Sequence, residues 1–523
     1  MNKTTLSLAV LACLCGAAAH AGELEDGNAL LKAGDLRGAL TQFQAAASKG
    51  QAAAQHALAE LYEQGSAVLA QDMALAQRHY KLAATQGHAL SQLKLAQMTE
   101  QGRGVFRDMT DAAKWYRLAA EQDVTAAQSR YGAMLAVGQG VARDDVQAAK
   151  WLQQAAEKGD AAAQNGLGEL LDQGRVGSAN SEAASAWFRK AAEQGHVQAQ
   201  LNLAALYAHG RGVAADPAQA LAWTRKAAEQ GAAQGQNALA LAYLNGVGVA
   251  KDPAQAKVLF SQAAAQGLAD AQFQLGGMAS QGVAGAPDAP GAYQWTRMAA
   301  EQGHVPAQLR LAGLLDQGLG TPKDAGEATR WVQRAAEQGD ATAQATLANR
   351  YALGLGTSAD AEVALKWNKL AAAQGNAEAQ FNWGAALESG GVGVPKNLAA
   401  AVQLYQKAAD QGHAKAQFKL GTLHDQGVVL AQDHVQAVKW YRLAAAQGHV
   451  LAQYTLGERY DRGRGVAQSD LKAHLWFNLA AASGHMDAVK YRDHIARRLN
   501  AEQLAAAQKL ATECQAKSLK GCD

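Results

Sequence analysis

Several kinds of side chain that can do chemistry recur in columns along this sequence. One column runs from Asp72, Asp108 and Asp144 through Asn180 to Asp433 and Ser469, and carboxylates are the usual general acids and bases. A second is His88, His196, His304, His413, His449 and His485, with imidazoles suited to proton transfer or metal ligation. Paired glycines such as Gly210/Gly212 and Gly318/Gly320 echo phosphate-cradling loops. Trp115, Trp151, Trp187, Trp223, Trp295, Trp331, Trp367, Trp440 and Trp476 offer ring faces on which sugars or peptides stack. Two SxxK strings, Ser91-Gln92-Leu93-Lys94 and Ser469-Asp470-Leu471-Lys472, have the spacing of an acylated serine and its lysine.

Register decides against chemistry in each column. A helix-ending Gly or Asp returns thirteen times, from Gly50, Gly87 and Asp123 to Gly448 and Gly484, at intervals of 36 or 37 residues. Such a period marks a stacked repeat array, in which every column is a structural slot. The carboxylate column falls where a second helix begins, and Pro217 and Pro253 follow it at the position Pro prefers, so these residues read as N-caps. The histidines directly follow the terminal Gly, a helix-start slot shared with Asp160, Asp340 and Asn376. The paired glycines close a helix, where Gly relieves the left-handed cap, and no strand precedes them. Neither SxxK string has a companion SDN or KTG motif. Tryptophans at strict register read as wedges in the core.

Bulk properties narrow the partner. Net charge is +2 over 523 residues with both signs interspersed, so no basic stripe points to nucleic acid. Residues 1–21 have the form of a secretory leader: Lys3, an apolar stretch from Thr4 to Ala18, then Ala19-His20-Ala21, with cleavage expected between Ala21 and Gly22. No other stretch is apolar enough to span a membrane. Export predicts a periplasmic or secreted protein. The mature chain then keeps Cys514 and Cys522, an even pair in an oxidising compartment, expected to form a disulfide that pins the tail. No metal or cofactor is implied.

Within each unit the eighth residue is apolar, from Leu58 and Leu95 to Leu420 and Leu456, and the next is always Ala or Gly. A large residue beside an obligatorily small one is how helices pack closely. Tyr62, Tyr207, Tyr243, Tyr351 and Tyr460 lie four residues on, along the same face. The turn, the cap, the aromatic slot and a closing Ala-Ala pair complete the unit. Written out, it is close to A-x-A-Q-x-x-L-G-x-x-Y-x-x-G-x-G-V-x-x-D-x-x-x-A-x-x-W-x-x-x-A-A-E-Q-G, and Ala199 to Gly231 match almost throughout. This resembles the Sel1-like repeat, a relative of the tetratricopeptide repeat. Departures are Asp123 for the terminal Gly and altered turns at Gly174-Arg175-Val176-Gly177 and Gly282-Val283-Ala284-Gly285.

The expected fold is all-α, a superhelical α/α solenoid of Sel1-like hairpins. Residues 22–50 form an N-terminal capping hairpin, 51–484 twelve repeats, and 485–523 C-terminal capping helices with the cysteine pair. The resemblance implies a monomeric scaffold that binds a protein or peptide partner, in the envelope or outside the cell, where such proteins can be host-directed. Helix-A positions taken as variable and exposed, Asn202, Asn237, Asn349 and Asn382, are the expected contacts. The alternative is the penicillin-binding or β-lactamase-like activity linked to a cysteine-rich branch of the same family, although the cysteine pairs that define that branch are missing from these repeats.

Overall fold

The structure, a computed structural model, describes residues 22–66, 68–390, 393–517, 519 and 522. The leader with Ala21, and Gly391 of one paired-glycine turn, lie outside the described residues. The regular structure is helical, apart from isolated bridge residues such as Ser66 and Leu69. The chain divides into two compact units, Met1–Gln266 and Gly267–Asp523. In each, helix hairpins of nearly constant length stack in chain order.

One hairpin shows why the sequence folds this way. Helix A spans Val197–His209 and helix B spans Pro217–Glu229. His196 opens helix A: its Nδ1 accepts from the Ala199 amide at 3.2 Å. Gly210 ends that helix in the left-handed region at φ 65°, which costs Gly little. The Asp216 carboxylate then accepts from the amides of Ala218 and Gln219, both at 3.0 Å, and Pro217 sits where no amide is needed. Every member of the column from Asp72 to Ser469 caps its helix B through its side chain in the same manner.

The two glycines of the turn do different work. The first ends helix A, as expected. The second, such as Gly212, lies against the preceding hairpin, where an added Cβ would fall inside the backbone of Ser181 and Glu182. Gly320 meets the carbonyl of Ala289 and Gly356 that of Ala325 in the same way. Close approach of neighbouring hairpins, as much as chain reversal, therefore calls for Gly at these three positions.

The leucine column is buried: Leu203, Leu311, Leu347 and Leu456 have no exposed surface. The tryptophans differ from expectation. Only Trp331 and Trp476 are buried, and the others are half-buried. The core wedge is the residue after each tryptophan slot: Tyr80, Tyr116, Phe188, Phe260, Tyr405, Tyr441 and Phe477 are all buried. These rings rest on the small residue of helix A, as Phe188 does on Gly168, where a Cβ would lie 2.6 Å from the ring. A residue three before the first closing alanine shares its face as well as one four before it, so the spacing fitted both slots.

A buried glutamine ladder ties the hairpins together. Gln308 is 3% exposed, its amide donating to the Ala300 carbonyl of the preceding helix B at 3.3 Å. Its carbonyl accepts from Gln338, which ends its own helix B, at 2.9 Å. Gln92, Gln164, Gln200, Gln344, Gln380 and Gln417 do the same in their repeats. Where Lys158 replaces the closing glutamine, its Nζ reaches Gln128 Oε1 at 3.1 Å. Each of these repeats thereby adds a bond to one carbonyl of its predecessor and engages one donor of its own.

Candidate functional site

The first SxxK string lies in an unexpected cluster. Ser91 Oγ is 2.9 Å from His56 Nδ1 and 3.0 Å from His88 Nδ1, and His56 Nε2 is 3.5 Å from Glu60. Hydroxyl, imidazole and carboxylate are the components of a nucleophilic triad. A nucleophile must also reach a carbonyl, and Ser91 is wholly buried. Its amide donates to His88 Nδ1, so His88 is a helix cap, and burial followed by the neighbouring His56 holds its pKa below the usual histidine value. Lys94 Nζ meets Glu63 at 3.0 Å. In the second string Ser469 caps its helix by accepting from the Lys472 amide at 3.3 Å.

The remaining histidines of the column are caps as well, each accepting through Nδ1 at the start of a helix A. Two reach back to the preceding repeat through Nε2, His304 to Asp270 at 3.0 Å and His413 to Glu378 at 2.8 Å. Burial lowers the pKa of His196 and His449 as it does for His88.

Successive A helices carry a polar ladder in which an acidic residue near one helix end meets a donor on the next. Asp316 accepts two bonds from Arg350, at 2.6 and 2.9 Å, and Glu388 pairs with Lys419 at 2.7 Å. Glu63, Glu100 and Glu388 also accept from the hydroxyls of the core tyrosines Tyr80, Tyr116 and Tyr405 at 2.6–2.7 Å. Burial would raise these carboxyl groups, but the tyrosine and cation hydrogen bonds outweigh it and hold them below the ordinary value. Burial and then the carboxylate push the three tyrosines well above theirs.

The four asparagines are half-buried, not exposed as expected, and Asn202 joins this ladder. Asn202 donates to Asn165 at 3.0 Å and to Glu169 at 3.2 Å on the preceding helix A. Asn382 donates to Asn349 at 3.4 Å, so two of the four bind each other. Asn237 keeps a buried carbonyl oxygen without a partner. Spacing gave no sign of the pairing, because it joins residues 33 to 37 apart in sequence.

Helix B presents the half-buried tryptophans with cations above them. Lys190 lies 4.1 Å from the Trp187 ring centroid, Lys226 4.0 Å from Trp223, and the Arg334 guanidinium 4.4 Å from the buried Trp331. Each is a cation–π contact within one helix, worth about 0.5–1 kcal/mol at an exposed site. At the C-terminal end Cys514 and Cys522 are brought together, Cα atoms 5.3 Å apart, within disulfide reach. Among the described residues no helix is long and apolar enough to cross a membrane.

Comparison with known proteins fits this architecture. The Sel1 repeat model matches twelve consecutive segments, from residues 52–88 to 450–485. The crystal structure of a protective antigen present in uropathogenic Escherichia coli strains and displaying an SLR fold is 34% identical, covers 92% of this chain and 96% of its own, and superposes with a TM-score of 0.59. That of a Sel1 repeat protein from Oxalobacter formigenes is 32% identical over 59% of this chain and 90% of its own, with a TM-score of 0.48. No curated protein matches. With twelve matched repeats and an all-helical stack of hairpins, the chain belongs to the Sel1-repeat family, whose members are in general scaffolds for protein–protein interaction.

Proposed function

We propose that this protein is an exported adaptor that holds a protein or peptide partner along its helix-A ladder and its tryptophan–cation row. The observation that carries the reading is the fate of the repeated polar residues. The caps, histidines and ladder glutamines are engaged within the fold, so what remains for recognition is the helix surface of each unit's stack, not a pocket of reactive groups. The proposed contacts are the half-buried Asn202 and Asn237 on A helices of the first unit, and Asn349 and Asn382 on A helices of the second. Export rests on the leader with its Ala21–Gly22 site, and oxidation of Cys514 with Cys522 suits the compartment it implies. Likeness to a protective antigen supports a destination where a host can meet the protein.

The test uses the mature chain as bait, once against envelope extract and once against host fluid, beside a variant with the four asparagines changed to Ala. A saturable protein partner weakened by the variant is expected, and absence of any such partner from both sources sinks the adaptor reading. N-terminal sequencing of the exported protein should begin at Gly22, and its intact mass should fall by two hydrogens relative to the reduced chain. Nitrocefin hydrolysis that disappears in Ser91→Ala would reverse the conclusion in favour of an enzyme.

A further inference from the structure

Eleven of the twelve repeats bury the residue that follows the tryptophan slot. The exception is Thr224, which is only half-buried. Its hydroxyl is turned back to donate to the Ala220 carbonyl at 2.9 Å, and its helix buries only Ala227 and Ala228. The preceding helix B buries five residues, Phe188 among them. Threonine in this slot need not leave a gap. Thr296 is wholly buried because it faces Gly276, where an added Cβ would lie 2.5 Å from its Oγ1. At Thr224 the facing residue is Ala204, and both line an open cleft of about 610 Å³ within the first unit.

The walls of that cleft are mostly aliphatic, with Leu201, Ala208, Leu221 and Leu241 among them. In seven of the other repeats the corresponding slot is filled by a ring from the chain itself, and the far end of the ring shows what it needs. Tyr80, Tyr116 and Tyr405 each donate to a glutamate five residues after the apolar slot of helix A. Here the position five after Leu203 is Ala208, so no carboxylate stands ready for a hydroxyl. We propose that the cleft between Ala204, Ala208, Thr224 and Leu241 receives the unsubstituted phenyl ring of a phenylalanine from a bound partner, in the place where seven sister repeats put a ring of their own. The site deepens the adaptor reading and rests on it for the source of the ring.

Side-chain analogues test the cleft without a known partner. Toluene stands for phenylalanine and p-cresol for tyrosine, each titrated against the full mature chain with thermal unfolding as the readout. Enclosed apolar cavities bind small arenes, and the aliphatic walls of this open cleft offer the same kind of contact. Toluene should raise Tm saturably, as a ligand of the native state must. p-Cresol should bind about tenfold more weakly, because its hydroxyl is desolvated without a partner. Thr224→Phe should abolish the toluene response, and Thr224→Leu should weaken it if the phenylalanine variant does not fold. Ala208→Glu should invert the order of the two ligands by restoring the carboxylate of the tyrosine-bearing repeats. No saturable effect of toluene, an unchanged effect in both Thr224 variants, or equal binding of toluene and p-cresol overturns the proposal. None of these outcomes touches partner capture, so the adaptor reading stands or falls separately.

Discussion

A glutamine side chain decides how firmly one hairpin sits on the next. Replacing Gln308 by Leu would remove its bonds to the Ala300 carbonyl, which keeps the Gly303 amide, and to the exposed Gln338 amide, and each hydrogen bond lost is worth about 0.5–1.5 kcal/mol net. We expect Gln308→Leu to lower unfolding stability by about 1–2 kcal/mol in chemical denaturation. The ladder also contains a natural defect. Gln453 Oε1 is buried without a partner, because the slot thirty residues on holds Ser483 in place of glutamine. Ser483→Gln should supply the donor and add about 1 kcal/mol, and a loss of stability would show that the ladder works differently. The histidine caps add a pH dependence. Burial puts the folded pKa of His88, His196 and His449 below the unfolded 6.5, so the unfolded chain binds more protons just under that pH. Their contribution is fully present above 6.5 and is lost as pH falls through the folded values. Changing all three to Asp, the cap used at Asp160 and Asp340, should flatten Tm between about pH 7 and about pH 5. The cap columns were legible in the sequence because a cap acts on its own next turn. The glutamines were visible as letters without a role, since the carbonyl each one serves belongs to another helix.

At the scale of the helix and its turn, the second glycine joins two hairpins and cannot carry a side chain without cost. Gly320→Ala would place a methyl group inside the carbonyl of Ala289, and a loss of about 2 kcal/mol or more in Tm-derived stability is expected. The reverse experiment uses the turns that break the pattern. Ala284 and Val429 occupy the second-glycine slot with φ of 58° and 67°, a conformation that is costly for a side-chain-bearing residue and most so for a β-branched one. Val429→Gly should relieve about 1–2 kcal/mol of that strain, set against about 0.5–1 kcal/mol of glycine entropy, for a small net rise in Tm. Helix order and length followed directly from the period. The tryptophans are only part of the wedge: Trp331 and Trp476 are buried, while Trp115, Trp151, Trp187, Trp223 and Trp440 pack against the apolar clusters and stay half-buried. The recurring ring is conspicuous, but the next residue, one step around the helix, is the one that turns toward helix A, and its identity changes from Tyr to Phe to Val to Thr. A column that varies in type while staying buried leaves little trace in spacing alone.

For the molecule as a whole, a stack of repeats keeps its ends folded only if something covers the last hairpin. In the second unit that cover is the helix Ala501–Ala516, whose buried Ala511 and Cys514 join Trp476, Leu479 and Ile495 in one apolar cluster. Arg498 reinforces the junction through Asp461 at 2.5 Å and through Asp470. Removing residues 500–523 would expose several of these side chains, each worth about 1.5–3 kcal/mol on burial. In a repeat array such a loss acts on nearest neighbours, because no long-range contact carries it further. Truncation after Leu499 should therefore speed amide exchange across helices Val450–Arg462, Asp470–Ala482 and Met486–Ala496, and leave Val305–Gln317 and Ala325–Glu337 unchanged. Reducing the cysteine pair alone should give a weaker form of the same pattern, since it releases only the segment beyond Ala516. Exchange that rises evenly through the second unit would mean that its repeats unfold as one cooperative block. The terminal helix would then stabilise the whole unit, and not only the hairpins it covers.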